Sequence, residues 1–378
     1  MDCYVCGGNN NKVILDKQPI PIWTGGDDAD VYRNNRIACK LLFCNSCGHV
    51  YQPREFVPAF LLNEIYQSNY AQASTDLGKG NWGIQRAKHV LDALGKIQFD
   101  NILEMGCGSG YLLKYLKSNF NIKIAEGIEP SLSETVYADG VMLHKGFAGK
   151  EFKLSKKFNL IYSNALFEHI ADLHDLMSFI RSTLTNDGFL FFGVPNAEIL
   201  IRSGDPNLFT HEHIHCFTKM SVQKLLEMNG FYIKQLIESH DALYVWACKG
   251  RSEKTDYALE SIKLSEYQKK IDHILSKVTS VLSSSKIGIH GVNDALNNIL
   301  GWGSLDQMSF KIFDNDETKY GKYYFGKKVM KPDMGSIKDI ESILVTPQFY
   351  FNAIFRQYRN MNFDGQVQCV IEDIYDYV

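Results

Sequence analysis

The sequence predicts an α/β chain built around a parallel sheet covered on both faces, with a small cysteine-bearing unit before it and a smaller α/β unit after it. Three observations carry that expectation. Strand-like apolar runs alternate with helix-length amphipathic stretches from about Trp82 to Cys248, the order that lays helices over both faces of a parallel sheet. A glycine-rich turn containing Gly106, Gly108 and Gly110 joins the first of those runs to a helix. Two Cys-x-x-Cys pairs, Cys3/Cys6 and Cys44/Cys47, stand outside the alternation.

At 378 residues the chain exceeds one average domain and suggests two or three. The expected divisions are residues 1–60, 61–250, a bridging helix over 251–285, and 286–378. The first stretch shows little long periodicity around its cysteines and the loop Gly25-Gly26-Asp27-Asp28, and 61–80 reads as a tyrosine-containing connector. A helix is expected over 84–94, a strand over 101–104, and a helix from Tyr111 to about Lys117. Strands follow over 122–128, 158–162 and 188–194, with a helix over 173–184 before the last. A helix over 221–229 stops at Gly230, as a glycine after a C-cap should make it. Strands over 231–237 and 242–248 close the central unit.

Beyond it, Leu259, Ile262, Tyr267, Ile271, Ile274, Val278 and Val281 form one apolar stripe, the mark of a helix that joins two units. The last unit reads as a strand over 286–290 ending in Gly291, a helix over 294–300, and a strand over 309–313 ending in Asp314. Two more strands, over 343–346 and 367–371, surround a helix near 349–358.

Composition excludes several classes. A formal net charge of −3 argues against a chain held to nucleic acid by its overall field. No stretch approaches the roughly 18 uninterrupted apolar residues of a membrane span. Met1-Asp2-Cys3 opens neither a basic n-region nor an apolar h-region, so a cytoplasmic location is expected. Nine cysteines, an odd number and few for the length, read as a metal site plus isolated buried thiols, not as a disulfide framework.

The glycine turn follows a strand and opens a helix. Glycines let the backbone turn tightly and approach a ligand where a Cβ would clash, and the helix amides face that ligand. Dinucleotide folds share such a turn. Here an acid, Glu104, ends the strand, and a second acid, Glu129, ends the next strand 19 residues after Gly110. Glu129 read blandly is a surface carboxylate beside a tight turn. As a set, over about residues 60–250, these residues resemble the first two motifs of class I S-adenosylmethionine-dependent methyltransferases, which have a Rossmann-like fold. The resemblance implies that Glu104 meets the cofactor's α-amino group, Glu129 its ribose hydroxyls, Phe147 its adenine, and Asn164 its methionine part.

Cys3, Cys6, Cys44 and Cys47 supply four soft ligands, enough for a closed tetrahedral zinc site whose role is structural. Zinc is preferred to iron on geometry and frequency, and reduced unmetallated cysteines are the alternative. Gly7 and Gly48 follow the second cysteine of each pair, where a knuckle benefits from unusual φ. His49 has no required role beside four thiolates.

Two histidine clusters remain. His169 follows the fourth strand within Leu166-Phe167-Glu168-His169, and packing and chemistry are equally open for it. Thr210-His211-Glu212-His213-Ile214-His215 places three histidines at period two, as on one face of a strand. A metal site and an exposed polar loop are both considered there.

Cysteine head, central domain with a His-Glu-His segment, and smaller C-terminal Rossmann-like α/β domain together resemble the sugar C-methyltransferases of deoxysugar biosynthesis. The resemblance implies a nucleotide-linked keto sugar as substrate, with His213 as base, Glu212 beside it and His169 at the oxyanion. Thr210 departs from the tyrosine of that family, and only Tyr66 and Tyr70 represent its tyrosine-rich stretch. Gly288-Ile289-His290-Gly291 is poorer in glycine than the family's C-terminal turn. Asp314 sits where a ribose-binding acid would be, and a basic stretch over 322–331 follows it, although loss of nucleotide binding to leave a scaffold is equally open.

Two other readings stand beside this one. An O- or N-methyltransferase acting on a glycan or small metabolite would use the same cofactor site. A zinc-headed scaffold with a vestigial pocket would not need Glu104, Gly106, Gly108, Gly110 and Glu129 all intact. Oligomeric state is not readable from these residues.

Overall fold

The computed structural model describes residues 2–21, 36–57, 90, 92, 97–239, 242–251, 257, 264–283, 286–324 and 326–371. The expected loop at 25–28, the connector over 61–80 with Tyr66 and Tyr70, Trp82, most of the helix over 84–94, Leu259 and Ile262 lie outside them.

Three sheets organise the described chain. In the first, β1 (Asn11–Pro21) pairs antiparallel with β2 (Arg36–Cys44), which pairs antiparallel with β3 (Val50–Tyr51). This hairpin is absent from the sequence reading, and its cause is visible in the register. Shifts between Val13 and Leu15 and between Lys17 and Ile20 break the alternation along β1, so no run of period two is long enough to signal a strand.

The central sheet contains β4 (Asn101–Met105), followed by α1 (Tyr111–Asn119), β5 (Ile124–Glu129), the hairpin β6 (Val136–Ala138) and β7 (Val141–Lys145), and β8 (Phe158–Asn164). Then come α2 (Leu173–Thr183), β9 (Leu184–Pro195), α3 (Ala197–Ser203), β10 (His215–Cys216), α4 (Lys219–Met228), β11 (Phe231–Glu238) and β12 (Ala242–Lys249). Strand order is β11-β12-β9-β8-β4-β5-β7-β6. The run from β9 to β7 is parallel, and β12, β11 and β6 add antiparallel to its two sides.

The expected parallel sheet is therefore the middle of a mixed one. Ile102 and Leu160 enter one apolar core while Leu103 and Ile161 enter the other. Strands buried on both faces in this way read as continuous apolar runs, which is why β4 and β8 were legible. The short β6 was not, with Tyr137 exposed.

The third sheet is built from β13 (Ile287–His290), β14 (Lys311–Phe313), β15 (Tyr323–Tyr324), β16 (Lys327–Met330), β17 (Ser342–Val345) and β18 (Gln366–Cys369). Its order is β15-β16-β14-β13-β17-β18, parallel except for the β15/β16 pair. It is preceded by α5 (Leu264–Leu282), with α6 (Asp294–Gly303) after β13 and α7 (Phe351–Asn360) after β17.

The stripe on α5 divides as a bridging helix should. Tyr267 and Ile271 pack with β1, β2 and α3 residues such as Leu15, Leu41 and Leu200, whereas Ile274, Val278 and Leu282 pack with Ile287 and Ile312 of the third sheet. Among the described residues no helix is long and apolar enough to cross a membrane.

Candidate functional site

The glycine turn lies at the carboxyl end of β4. Gly106, Gly108 and Gly110 have φ of 72°, 54° and 75°, in the left-handed region that glycine enters without steric cost. Gly110 is required twice, because a Cβ there would also stand 2.7 Å from Leu143 Cδ2. Gly108 donates its N–H to Glu129 Oε2 at 3.1 Å, and Ser131 donates to Glu129 Oε1 from its N–H at 3.0 Å and its hydroxyl at 2.7 Å. The carboxylate is thus buried and oriented by three donors, at the mouth of the turn.

Glu104 is buried and accepts a hydrogen bond from Tyr162 Oη at 3.1 Å. Burial, then the charge of Glu104, pushes the Tyr162 hydroxyl well above the ordinary phenol range. Burial followed by the charges of Glu104 and Glu129 does the same to the Cys107 thiol. A negative field at this mouth suits a cationic ligand group.

Asn164 ends β8, and among the described residues its Nδ2 and Oδ1 have no hydrogen-bond partner. The next residue, Ala165, has φ of 51°, a left-handed conformation that is costly for a residue with a Cβ. Phe147 follows Gly146, whose N–H meets Glu129 O at 3.3 Å, and its ring is 47% exposed.

The four paired cysteines come together as expected. Cys3 Sγ lies 3.6 Å from Cys47 Sγ and Cys6 Sγ lies 3.5 Å from Cys44 Sγ, and the four sulfurs lie within 4.8 Å of one another. Those separations are far beyond the roughly 2.05 Å of a disulfide. They match the roughly 3.8 Å between sulfurs that a tetrahedral ion with 2.3 Å bonds imposes. Gly7 and Gly48 have φ of 69° and 70°, and their N–H groups return to Cys3 O and Cys44 O at 2.9 and 2.8 Å. Both knuckles therefore have the expected form. His49 gains a role: its Nε2 lies 3.0 Å from His215 Nδ1, and both rings are buried.

The histidine segment differs from a strand. His211 and Glu212 form a turn, and only His215 and Cys216 enter β10, pairing with Tyr51 and Val50. His215 is packing: Nε2 lies 2.8 Å from Ile170 O, and burial drives its pKa down to about 3. His213 instead meets His169, with ring centroids 4.8 Å apart and edge to face. His169 Nδ1 donates to Glu212 O at 3.1 Å. One carboxylate oxygen of Glu168 falls in the same cluster as His169 and His213.

Two further side chains meet Glu212 or its neighbour, and one of them, Asp294, is absent from the expected site residues. His211 is 4% exposed, with Nε2 3.3 Å from Glu212 Oε1, and its Nδ1 lies 4.0 Å from Asp294 Oδ1 on α6. His211 was visible as a neighbour of Glu212, but Asp294 carries no local signal because it arrives from another sheet. Leu166, the residue before the short turn that carries His169, lies over the glycine turn, since a Cβ at Gly106 would stand 3.4 Å from Leu166 Cδ1.

In the C-terminal unit, Asp314 is already engaged. Its Oδ2 accepts from Val292 N at 2.7 Å and Lys319 Nζ at 3.0 Å, and its Oδ1 accepts from Asp316 N at 2.9 Å. Gly291, with φ of 108°, is required by Pro347 and Thr346, against which a Cβ would clash.

The glycine turn, its two acids and the parallel strands that carry them define a class I S-adenosylmethionine-dependent methyltransferase fold. Residues 75–236 match a family model described as a methyltransferase domain. The chain is similar to the C-methyltransferase NovU of Streptomyces niveus, 23% identical over 259 residues that cover 64% of this chain and 57% of the relative. It is also 28% identical over 137 residues to a malonyl-[acyl-carrier protein] O-methyltransferase of Calditerrivibrio nitroreducens, covering 36% of this chain and 49% of the relative. The chain thus spans about half the length of the curated relatives it matches. A solved S-adenosylmethionine-dependent methyltransferase from Clostridium acetobutylicum aligns with 44% of this chain and 92% of its own, at 12% identity and a TM-score of 0.37.

Proposed function

We propose that the chain is an S-adenosylmethionine-dependent methyltransferase that methylates a carbon of a nucleotide-linked keto sugar, with a structural zinc ion on Cys3, Cys6, Cys44 and Cys47. The observation that carries this reading is the meeting of His169 and His213, ring to ring at 4.8 Å, beside Glu212 and on the turn that follows Leu166, whose side chain lies over Gly106. Proton-transfer groups are what a carbon acceptor beside a carbonyl requires, because its proton must leave before it can take a methyl group. The similarity to a C-methyltransferase supports the same choice.

Bound S-adenosylmethionine supplies an electrophilic methyl group on a sulfonium sulfur. In this reading Gly106, Gly108 and Gly110 admit the cofactor to the turn, Glu104 faces its α-amino group, and Phe147 covers its adenine. The remaining lone pairs of Glu129 accept the ribose hydroxyls, and the unpartnered amide of Asn164 lies beside the methionine part. A carbonyl acidifies the neighbouring carbon of the sugar, and His213 removes that proton. Glu212 orients the acceptor. His169 already donates from Nδ1 to Glu212 O, so it can donate from Nε2 as well only as the imidazolium. That form suits the developing oxyanion.

The test is incubation of the full chain with labelled S-adenosylmethionine and a panel of 4-keto and non-keto nucleotide sugars, read by product mass. One added methyl that survives acid hydrolysis and ether-cleaving reagents is the expected result. A methyl on oxygen or nitrogen overturns carbon as acceptor. For the cofactor, Glu129→Gln sets an amide donor against the Gly108 and Ser131 donors. A lost charged hydrogen bond is worth about 1.5–3 kcal/mol, so S-adenosylhomocysteine should bind on the order of tenfold to a hundredfold more weakly by calorimetry. Unchanged affinity would remove Glu129 from the cofactor site.

A further inference from the structure

The loop before β10 is gripped by the C-terminal unit. Asn298 Nδ2 on α6 donates to Pro206 O at 2.8 Å and Phe209 O at 2.5 Å, and Ala295 N donates to Asn207 Oδ1 at 2.9 Å. Gln348 Nε2 donates to Asp205 Oδ2, and Tyr267 Oη on α5 donates to Asp205 O at 3.1 Å. Backbone groups in such a loop would otherwise lie buried without partners, so the contacts set its path.

At the tip of that loop, His211 stands between two carboxylates, Glu212 on its Nε2 side at 3.3 Å and Asp294 on its Nδ1 side at 4.0 Å. The ring is 4% exposed, so few other orientations are open to it. We propose that Asp294 is a positioning residue of the acceptor site, acting through His211 to hold Glu212, so that the C-terminal unit completes the site. This inference rests on the assignment of Glu212 to the acceptor site.

The electrostatics agree with the geometry. Burial pulls the His211 imidazole down, but the close contact and charge of Glu212 and the charge of Asp294 outweigh it and raise the pKa. Burial would raise Glu212, yet His211 and then His169 lower it. Asp294 is raised, by burial first and by the charge of Glu212, with His211, Thr210 and His169 opposing. Removing the Asp294 charge takes away one of the two anions that hold the imidazolium. A plain role for Asp294 as a first-turn acid of α6 would touch helix stability alone, by a few tenths to about 1 kcal/mol.

The experiment compares Asp294→Asn and Asp294→Glu in the full chain, each checked for an unchanged thermal midpoint to within a few degrees. Imidazole carbon resonances of ¹³C-histidine-labelled protein, assigned with His211→Gln, report the His211 titration without any substrate. Asp294→Asn should move the His211 midpoint to lower pH, and Asp294→Glu should restore it in part. Misplacement of a reacting group by about 1 Å can cost on the order of 10²-fold, so kcat should fall by tenfold or more in Asp294→Asn at unchanged KM for the cofactor. A His211 titration unmoved by Asp294→Asn overturns the proposal, and so does a moved titration with unchanged kcat. A wild-type chain that methylates nothing in the sugar panel defeats the acceptor reading, and the titration still decides the contact between Asp294 and His211 by itself.

Discussion

Replacing His213 by alanine is expected to remove methyl transfer, by on the order of 10² to 10⁴-fold in kcat, while S-adenosylhomocysteine binds as tightly as before. The backbone at this residue is pinned independently of its ring. His213 N donates to Thr210 O at 3.0 Å and Gln52 Nε2 donates to His213 O at 2.7 Å. The ring is half-buried and lies edge to face against His169, so its truncation opens space at the site mouth without emptying an apolar core. An imidazole is the side chain whose ordinary pKa allows proton removal near neutrality, and nothing else at this position would replace it. His213→Gln keeps a polar group of similar reach but cannot accept and release a proton, so it should be as inactive as the alanine variant. Initial rates and calorimetry on both variants check this. Retained turnover, or a lost cofactor site, would remove His213 from the chemistry.

The parts of the site that were legible in the sequence are those where a residue type answers a local demand. Three glycines in seven residues announce a turn with positive φ, and the structure gives all three that conformation. Gly7 and Gly48 announce the knuckles in the same way. Glu104 and Glu129 follow because adjacent parallel strands ending beside one turn bring their carboxyl ends together. What was not legible depends on contacts between distant segments. Period two across His211, His213 and His215 suggested one shared face, but the turn at His211 and Glu212 sends the three rings to different neighbours. His211 goes to Asp294, His213 to His169, and His215 to the buried His49. None of those partners lies within 30 residues of the segment except through the fold. The same reasoning explains β10, whose two residues become a strand because β3 is there to receive them. In the C-terminal unit Asp314 follows β14 as expected, and its carboxylate accepts from Lys319 Nζ and from the N–H groups of Val292 and Asp316, contacts that no local pattern announces.

The second large effect is expected at the cysteines. Chelation of the full chain, or Cys44→Ser, should lower the thermal midpoint by about 6–12 °C, as a loss of about 3 kcal/mol does at the roughly 2–4 °C per kcal/mol of a domain of about 150–250 residues. Cys3, Cys44 and Cys47 are buried and share an apolar core with Leu103, Met105 and Ile128 of the central sheet. Metal-free, the cluster must distribute protons among crowded sulfurs. A hydrogen bond from Cys47 holds the Cys3 thiol down to about 6, against burial, while Cys47 itself is driven far up, by Cys3 first and then by burial. A divalent ion relieves that crowding by taking four thiolates, and its binding energy enters the folding free energy. Protons compete for the same sulfurs, so stability conferred by the ion is present at neutral pH and is lost as pH falls and the thiolates protonate. The consequence reaches the segment that carries Glu212 and His213 through a short path. Thr218 Oγ1 donates to Gly48 O at 3.1 Å, β3 pairs with β10, and Gln52 holds the carbonyls of Thr210 at 3.0 Å and His213 at 2.7 Å. Methyl transfer should therefore be lost together with the metal, whereas cofactor binding at the glycine turn, which draws no ligand from the knuckles, should persist until the central sheet itself unfolds. Metal analysis of the purified chain should find one zinc per chain. No stoichiometric metal, or an unchanged midpoint after chelation, would leave the four thiols as a reduced cluster with no ion.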